Sequence, residues 1–173
     1  MKTRCGIVIL LVALATVLFA SMPAAAPAIV SLNSYEQQLV NRINKVRVSH
    51  HLATLRVTTS LVAAARSHSA DMGARDYFAH NTLGGATWQQ RISRFGYTRS
   101  GCSYYAVGEN ICTVGGLCAA FPQTTVDTTR KLWMNSPLHR AVILAARFRD
   151  VGVGVKLCGG TRYITLDAGR RIQ

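Results

Sequence analysis

Val151-Gly152-Val153-Gly154-Val155-Lys156-Leu157-Cys158-Gly159-Gly160-Thr161-Arg162-Tyr163-Ile164-Thr165-Leu166-Asp167 is the stretch on which the fold class turns. Val151 to Leu157 and Tyr163 to Asp167 are rich in β-branched and aromatic residues, which fit a pleated, half-buried surface. Between them lies Cys158-Gly159-Gly160-Thr161. Paired glycines supply the positive φ angles that a tight hairpin turn demands, so an antiparallel hairpin is predicted here.

Working back from the hairpin, the periodicity becomes helical. Val126, Thr129 and Trp133 align on one face of a helix from Val126 to Asn135, and Ser136-Pro137 starts another turn with Ser as cap and Pro in first position. Earlier in the chain, Ser34 with Gln37 reads as a capping box for a helix from Tyr35 to Ser49, whose Leu39, Ile43 and Val46 share a face. A second helix follows Thr58-Thr59-Ser60 and ends near Tyr77, with Leu61, Ala64, Ala65, His68 and Met72 on one stripe. A short third helix opens on the Thr87/Gln90 capping box and stops at Gly96. Between Gly96 and Val126 glycines and three cysteines break every period, and an irregular segment is expected. Helices first and a hairpin last give an α+β domain in which helices cover a modest sheet.

The chain has 173 residues, 20 Lys+Arg against 7 Asp+Glu, and a formal charge of +13. Its 49% hydrophobic content excludes a disordered or collagen-like chain. Residues 1–28 read as a secretory signal peptide: a basic start, an apolar run from Ile7 to Ala20 too short to span a bilayer, and Ala26-Pro27-Ala28 as cleavage site. Residues 29–173 then form a single secreted domain with no later membrane span. Lys2 and Arg4 leave with the signal, so the remainder keeps a net charge of +11. Its arginines are spread along the chain without a dense basic run, which predicts a diffusely cationic surface suited to anionic envelope polymers and not to specific nucleic-acid recognition. Cys102, Cys112, Cys118 and Cys158 make an even set in an oxidising compartment, read as two disulfides of open connectivity; zinc ligation is the rival, without a Cys-x-x-Cys pair in its favour.

His80, Glu109 and His139 each fall at the border of an element, and two imidazoles with a carboxylate suit Zn2+ or another divalent cation. The same region permits a secreted hydrolase, either metal-dependent, with a water activated between His80 and His139, or Ser-dependent, with Ser136 as nucleophile, His139 as base and Glu109 as orienting acid. Against that, Ser136 reads as a helix cap with its hydroxyl held by backbone amides. His68, on an apolar stripe, reads as a packed core histidine.

On Tyr77-Phe78-Ala79-His80, Arg91-Ile92, Gly96-Tyr97, Gly108-Glu109-Asn110-Ile111, Trp133-Met134-Asn135-Ser136-Pro137, His139-Arg140 and Val151-Gly152-Val153-Gly154, the chain resembles the CAP superfamily of cysteine-rich secretory proteins, antigen 5 and pathogenesis-related proteins, its short bacterial members above all. The resemblance implies a three-layer α-β-α sandwich with a central antiparallel sheet. It also implies a ligand-binding cleft of His80, Glu109, Ser136 and His139, in which His80 and His139 take a divalent cation, commonly zinc. Ser136 stands where the family places a second glutamate, a change that weakens cation affinity and removes the carboxylate pair needed for acid/base work. Leu138 and Val142 depart from the Gly and Asn usual in bacterial relatives. The function implied is extracellular binding of a small molecule, lipid or protein rather than one defined reaction.

Overall fold

A computed structural model describes residues 30–116 and 122–173. The expected signal peptide and Cys118 lie outside the described residues. In chain order the elements are α1 (Ser34–Ser49), β1 (Arg56–Val57), α2 (Thr59–Arg75), α3 (Trp88–Arg94), β2 (Tyr104–Val114), α4 (Pro122–Asn135), α5 (Pro137–Ile143), β3 (Asp150–Cys158) and β4 (Thr161–Ile172).

The hairpin forms where the sequence places it. β3 and β4 pair antiparallel from Asp150↔Gly169 to Cys158↔Thr161, and the turn residues Gly159 and Gly160 have φ of 53° and 76°. β2 adds antiparallel to the other side of β4, and β1 runs parallel to β3, so the four-stranded order is β1-β3-β4-β2 and the sheet is mixed rather than wholly antiparallel.

β2 is the principal element missing from the sequence reading. Gly108, Glu109 and Asn110 interrupt its apolar alternation: Gly108 admits the Phe148 ring, Glu109 meets His80 and Arg91, and Asn110 bonds to the His139 carbonyl. A smaller correction concerns α1, whose capping box is Asn33 with Glu36, one residue before the expected pair. The Thr87/Gln90 box of α3 forms as read.

Helices cover both faces of the sheet. On one face α1, α4 and α5 enclose the main core, where Leu39, Ile43, Trp133, Val151, Val153, Ile164 and Leu166 are buried together. On the other face α2 lies directly on β3 and β4. Gly152 and Gly154 make this approach possible, since a Cβ on either would collide with the α2 backbone at Leu61–Val62 or at Ala65–Arg66. Ser69 of α2 closes the contact by donating to the Gly154 carbonyl at 2.9 Å.

The sheet also decides the fate of the cysteines. Cys102, Cys112 and Cys158 are free thiols, so the expected pair of disulfides is not formed among the described residues. Cys112 packs in the core beneath α1 and α4, whereas Cys158 lies beside Gly73 of α2, on the opposite face. The two thiols therefore cannot meet without passing through the sheet.

Candidate functional site

The site forms along the outer edge of the sheet, on β2. Successive residues of a strand point to opposite faces, so Glu109 and Asn110 reach to opposite sides. Gly108 just before them leaves room for Phe148 and Val142 to pack against the strand. Val142, one of the departures from the bacterial pattern, thus serves as a packing residue that seats α5 on β2.

Glu109, buried beneath the α2 and α3 side, is the centre of the arrangement. Its Oε1 accepts from His80 Nδ1 at 2.8 Å, and its Oε2 accepts from the buried Arg91 Nη2. Because a carboxylate only accepts, His80 Nδ1 carries the proton of this bond, and Nε2, on the far side of the ring, is directed away from Glu109. Arg91 also donates to the His80 carbonyl at 3.1 Å. His68 anchors the same segment by donating from Nε2 to the Ala79 carbonyl at 2.9 Å, and burial lowers its pKa, with Arg91 acting in the same direction. The packed-histidine reading of His68 is therefore correct. Three side chains hold the segment that carries His80, although the His80 ring itself is half exposed.

His139 approaches from the other face. Asn110 Nδ2 donates to the His139 carbonyl at 2.9 Å, fixing the first turn of α5 against β2. The His139 ring has no hydrogen-bond partner among the described residues. Its pKa is lowered by partial burial first and by the charge of His80 second, which favours the neutral, lone-pair-bearing imidazole and marks the two rings as neighbours.

Ser136 behaves differently from the expectation. It occupies the cap position of α5, but its side chain makes no cap hydrogen bond, so the predicted engagement of its hydroxyl is absent. Nor does the hydroxyl bond to either histidine among the described residues. The Ser136–His139–Glu109 relay is not assembled, since Glu109 is committed to His80 and Arg91.

Two residues belong to the site that sequence reading passed over. Arg91 is visible there only as part of a motif, without a role. Asp167 lies directly across from Glu109 in the β2–β4 register and is fully buried. Burial raises its pKa well above the ordinary carboxyl value; the negative charge of Glu109 adds to this and Arg91 opposes it. Neither Asp167 oxygen meets hydrogen-bond geometry, although the carboxyl is near enough to Glu109 to feel its charge. An ionised group without partners at such depth is far costlier than the neutral acid, so burial favours the protonated form of Asp167. A polar residue facing inward on a β-branched strand was the available signal.

The donor set can be compared with the cation implied by the resemblance. His80 Nε2 and the His139 ring offer two nitrogen donors, and Glu109 orients the first of them in the manner of a supporting carboxylate. No group of three His, Cys, Asp or Glu side chains among the described residues stands close enough to hold a metal ion. A catalytic zinc site uses three protein ligands. The residues thus fit a weakly held cation that completes its coordination with solvent or ligand atoms, and do not fit a structural or hydrolytic zinc centre.

A cavity of about 650 Å3 adjoins this unit between α2, α3 and the 82–86 segment. His68 and Arg91 form part of its wall, together with Gln90, Arg94 and Phe95. It is offset from the histidine pair and shares Arg91 with it. Phe78, Leu83 and Leu138, which lie close in sequence to the two histidines, are exposed apolar side chains.

Comparison with known proteins gives a consistent picture. The family described as CAP, the cysteine-rich secretory protein family, matches residues 40–167. The uncharacterized protein YkwD of Bacillus subtilis (strain 168) is 35% identical over 124 residues, covering 72% of this chain and 43% of that protein. Among solved structures, an extracellular protein containing an SCP domain from Bacillus anthracis superposes with a TM-score of 0.64 at 26% identity, over 79% of this chain and 40% of that one. An outer surface protein from Borrelia burgdorferi gives a TM-score of 0.67 at 18% identity, over 82% and 96% of the two chains. The chain spans less than half the length of the Bacillus proteins it matches.

Proposed function

The chain belongs to the cysteine-rich secretory protein (CAP) family, and we propose that it acts outside the cell as a binding domain whose ligand engages His80 and His139. The observation that carries this reading is the state of Glu109. Both of its oxygens are occupied, one by His80 and one by Arg91, so it positions an imidazole and has no lone oxygen left to act as a general base. Among the described residues the Ser136 hydroxyl bonds to neither histidine, so no activated side-chain nucleophile is assembled, which favours binding over hydrolysis.

Two imidazole lone pairs at a half-exposed edge suit a divalent cation held with modest affinity, or a ligand group that donates hydrogen bonds. Exposed Phe78, Leu83 and Leu138 favour a ligand with an apolar portion, such as a lipid, and the adjoining cavity has the volume of a small-molecule site. Secretion rests on the N-terminal segment of residues 1–28 and agrees with the extracellular and surface relatives; among the described residues no helix is long and apolar enough to cross a membrane.

Calorimetric titration of Zn2+ into residues 29–173 tests the cation part of this reading. Saturable binding that is lost in His80→Ala/His139→Ala is expected. Equal affinity in the two proteins would remove the histidine pair as its site.

A further inference from the structure

The sequence shows no basic run, yet the fold gathers four arginines into one pocket. Arg56 of β1, Arg149 just before β3, and Arg170 and Arg171 near the end of β4 line a depression of about 310 Å3 together with Thr54 and Ile172. Strand register accounts for one pair, and Arg56 and Arg171, on the opposite face of their strands from Arg149 and Arg170, reach the same depression at the end of the sheet. Asp150 pairs with both Arg56 and Gly169, so Arg149 and Arg170, one step beyond, lie next to each other across β3 and β4.

Like charges placed opposite one another cost stability. Among the described residues Asp150 offsets Arg56: it is buried, accepts from Arg56 at 2.5 Å, and spends its other oxygen on the Tyr97 hydroxyl at 2.7 Å. No acidic side chain lines the pocket. Arg149 donates to the carbonyls of Ala146 and Phe148, and Arg171 lies over the Tyr97 ring at 4.3 Å, which props these guanidinium groups without neutralising them. Each guanidinium has five donors, and the bonds described leave several of them free at every position. The result is a propped, net-positive cluster with more donors than one carboxylate could satisfy.

From this we propose that Arg56, Arg149, Arg170 and Arg171 form a binding site for multiply charged phosphate, either a phosphomonoester or a short run of phosphodiesters. Guanidinium forks match phosphoryl oxygens two at a time, and several forks in one pocket favour several phosphoryl charges over a single carboxylate. The site is independent of the histidine edge and shares no residue with it.

The test is titration of sodium tripolyphosphate into residues 29–173. Saturable one-to-one binding is expected, weakening as salt rises. Arg170→Gln/Arg171→Gln should weaken it about tenfold or more, about 1.4 kcal/mol. Arg171→Gln alone, at an exposed position that leaves folding intact, should weaken it by a smaller factor. Arg130→Gln/Lys131→Gln removes the same charge from α4 and should change affinity less than about twofold. Phosphatidylglycerol vesicles separate the sources: loss of vesicle binding in Arg170→Gln/Arg171→Gln assigns a lipid phosphate, and retained vesicle binding assigns a soluble or polymeric one, both supporting the site. Equal weakening by the two double variants, or binding that never saturates, would overturn it in favour of diffuse charge attraction.

Discussion

Replacing Asp167 by Asn should stabilise the domain, by an amount that grows with pH. Asp167 lies on β4 between Glu109 of β2 and Gly152 of β3, with no exposed surface and no hydrogen-bond partner for either oxygen. Burial, reinforced by the Glu109 charge, raises its pKa well above the ordinary carboxyl range. The sign follows from proton linkage. Below about pH 4 both the folded and the unfolded wild-type chains carry the proton. Above it the unfolded chain releases a proton that the folded chain keeps, so wild-type stability falls as pH rises, until the folded carboxyl itself ionises. Each pH unit of withheld ionisation is worth a little over 1 kcal/mol, so two units amount to about 3 kcal/mol, or roughly 6–10 °C in Tm for a domain of this size. Asn is close in shape, cannot ionise, and presents an amide N–H toward the Glu109 carboxylate. Urea unfolding of wild type and Asp167→Asn at half-unit intervals from pH 4 to pH 7 gives the difference directly. The variant should gain on the wild type steadily across that interval. A constant difference, or a variant less stable than wild type at pH 7, would refute the buried neutral acid.

Arg91→Met keeps much of the side-chain volume but leaves Glu109 buried without its cation, and chemical denaturation should show a loss of about 3–5 kcal/mol; a loss under about 1 kcal/mol would mean that Arg91 does not hold the carboxylate. Gly152→Ala drives a Cβ into the α2 backbone, where no rotamer can relieve the collision, and should cost about 3 kcal/mol or more, whereas Gly84→Ala, whose Cβ meets Thr82 Oγ1 at an ordinary 4.0 Å, should fall within about 0.5 kcal/mol of wild type in the same assay. Cys112 is buried and its thiol is pushed up to about 11, chiefly by burial, so a disulfide-exchange reagent should modify it only as fast as the domain unfolds. Rapid modification of Cys112 in the native protein would contradict its place in the core.

The parts of the fold that were legible in the sequence are those in which local chemistry and tertiary structure agree. The β3–β4 hairpin was written in its β-branched strands and paired glycines, and α2, α3 and α5 in their stripes, caps and Pro137. β2 was hidden because it carries the site: Gly108 makes room for Phe148, Glu109 collects His80 and Arg91, and Asn110 holds α5, so each breaks the alternation by which a strand is recognised. His80, Glu109 and His139 were singled out by their places at element borders and again by motif resemblance, and the structure supplies what spacing could not, a single strand edge reached from both faces. Asp167 and the four-arginine pocket depend on strand register, a long-range property to which residues far apart in sequence contribute. The disulfide expectation rested on an even cysteine count, and a count carries no information about which face of the sheet each thiol occupies.

The central claim is that His80 and His139 form one binding edge, held by Glu109 on one face of β2 and Asn110 on the other. Imidazole nitrogen NMR of histidine-labelled protein during a Zn2+ titration tests it most directly. The account predicts that ring signals of His80 and His139 shift together, with a common saturation point, while those of His68 stay fixed. Independent saturation of the two rings, or a response from only one of them, would contradict it.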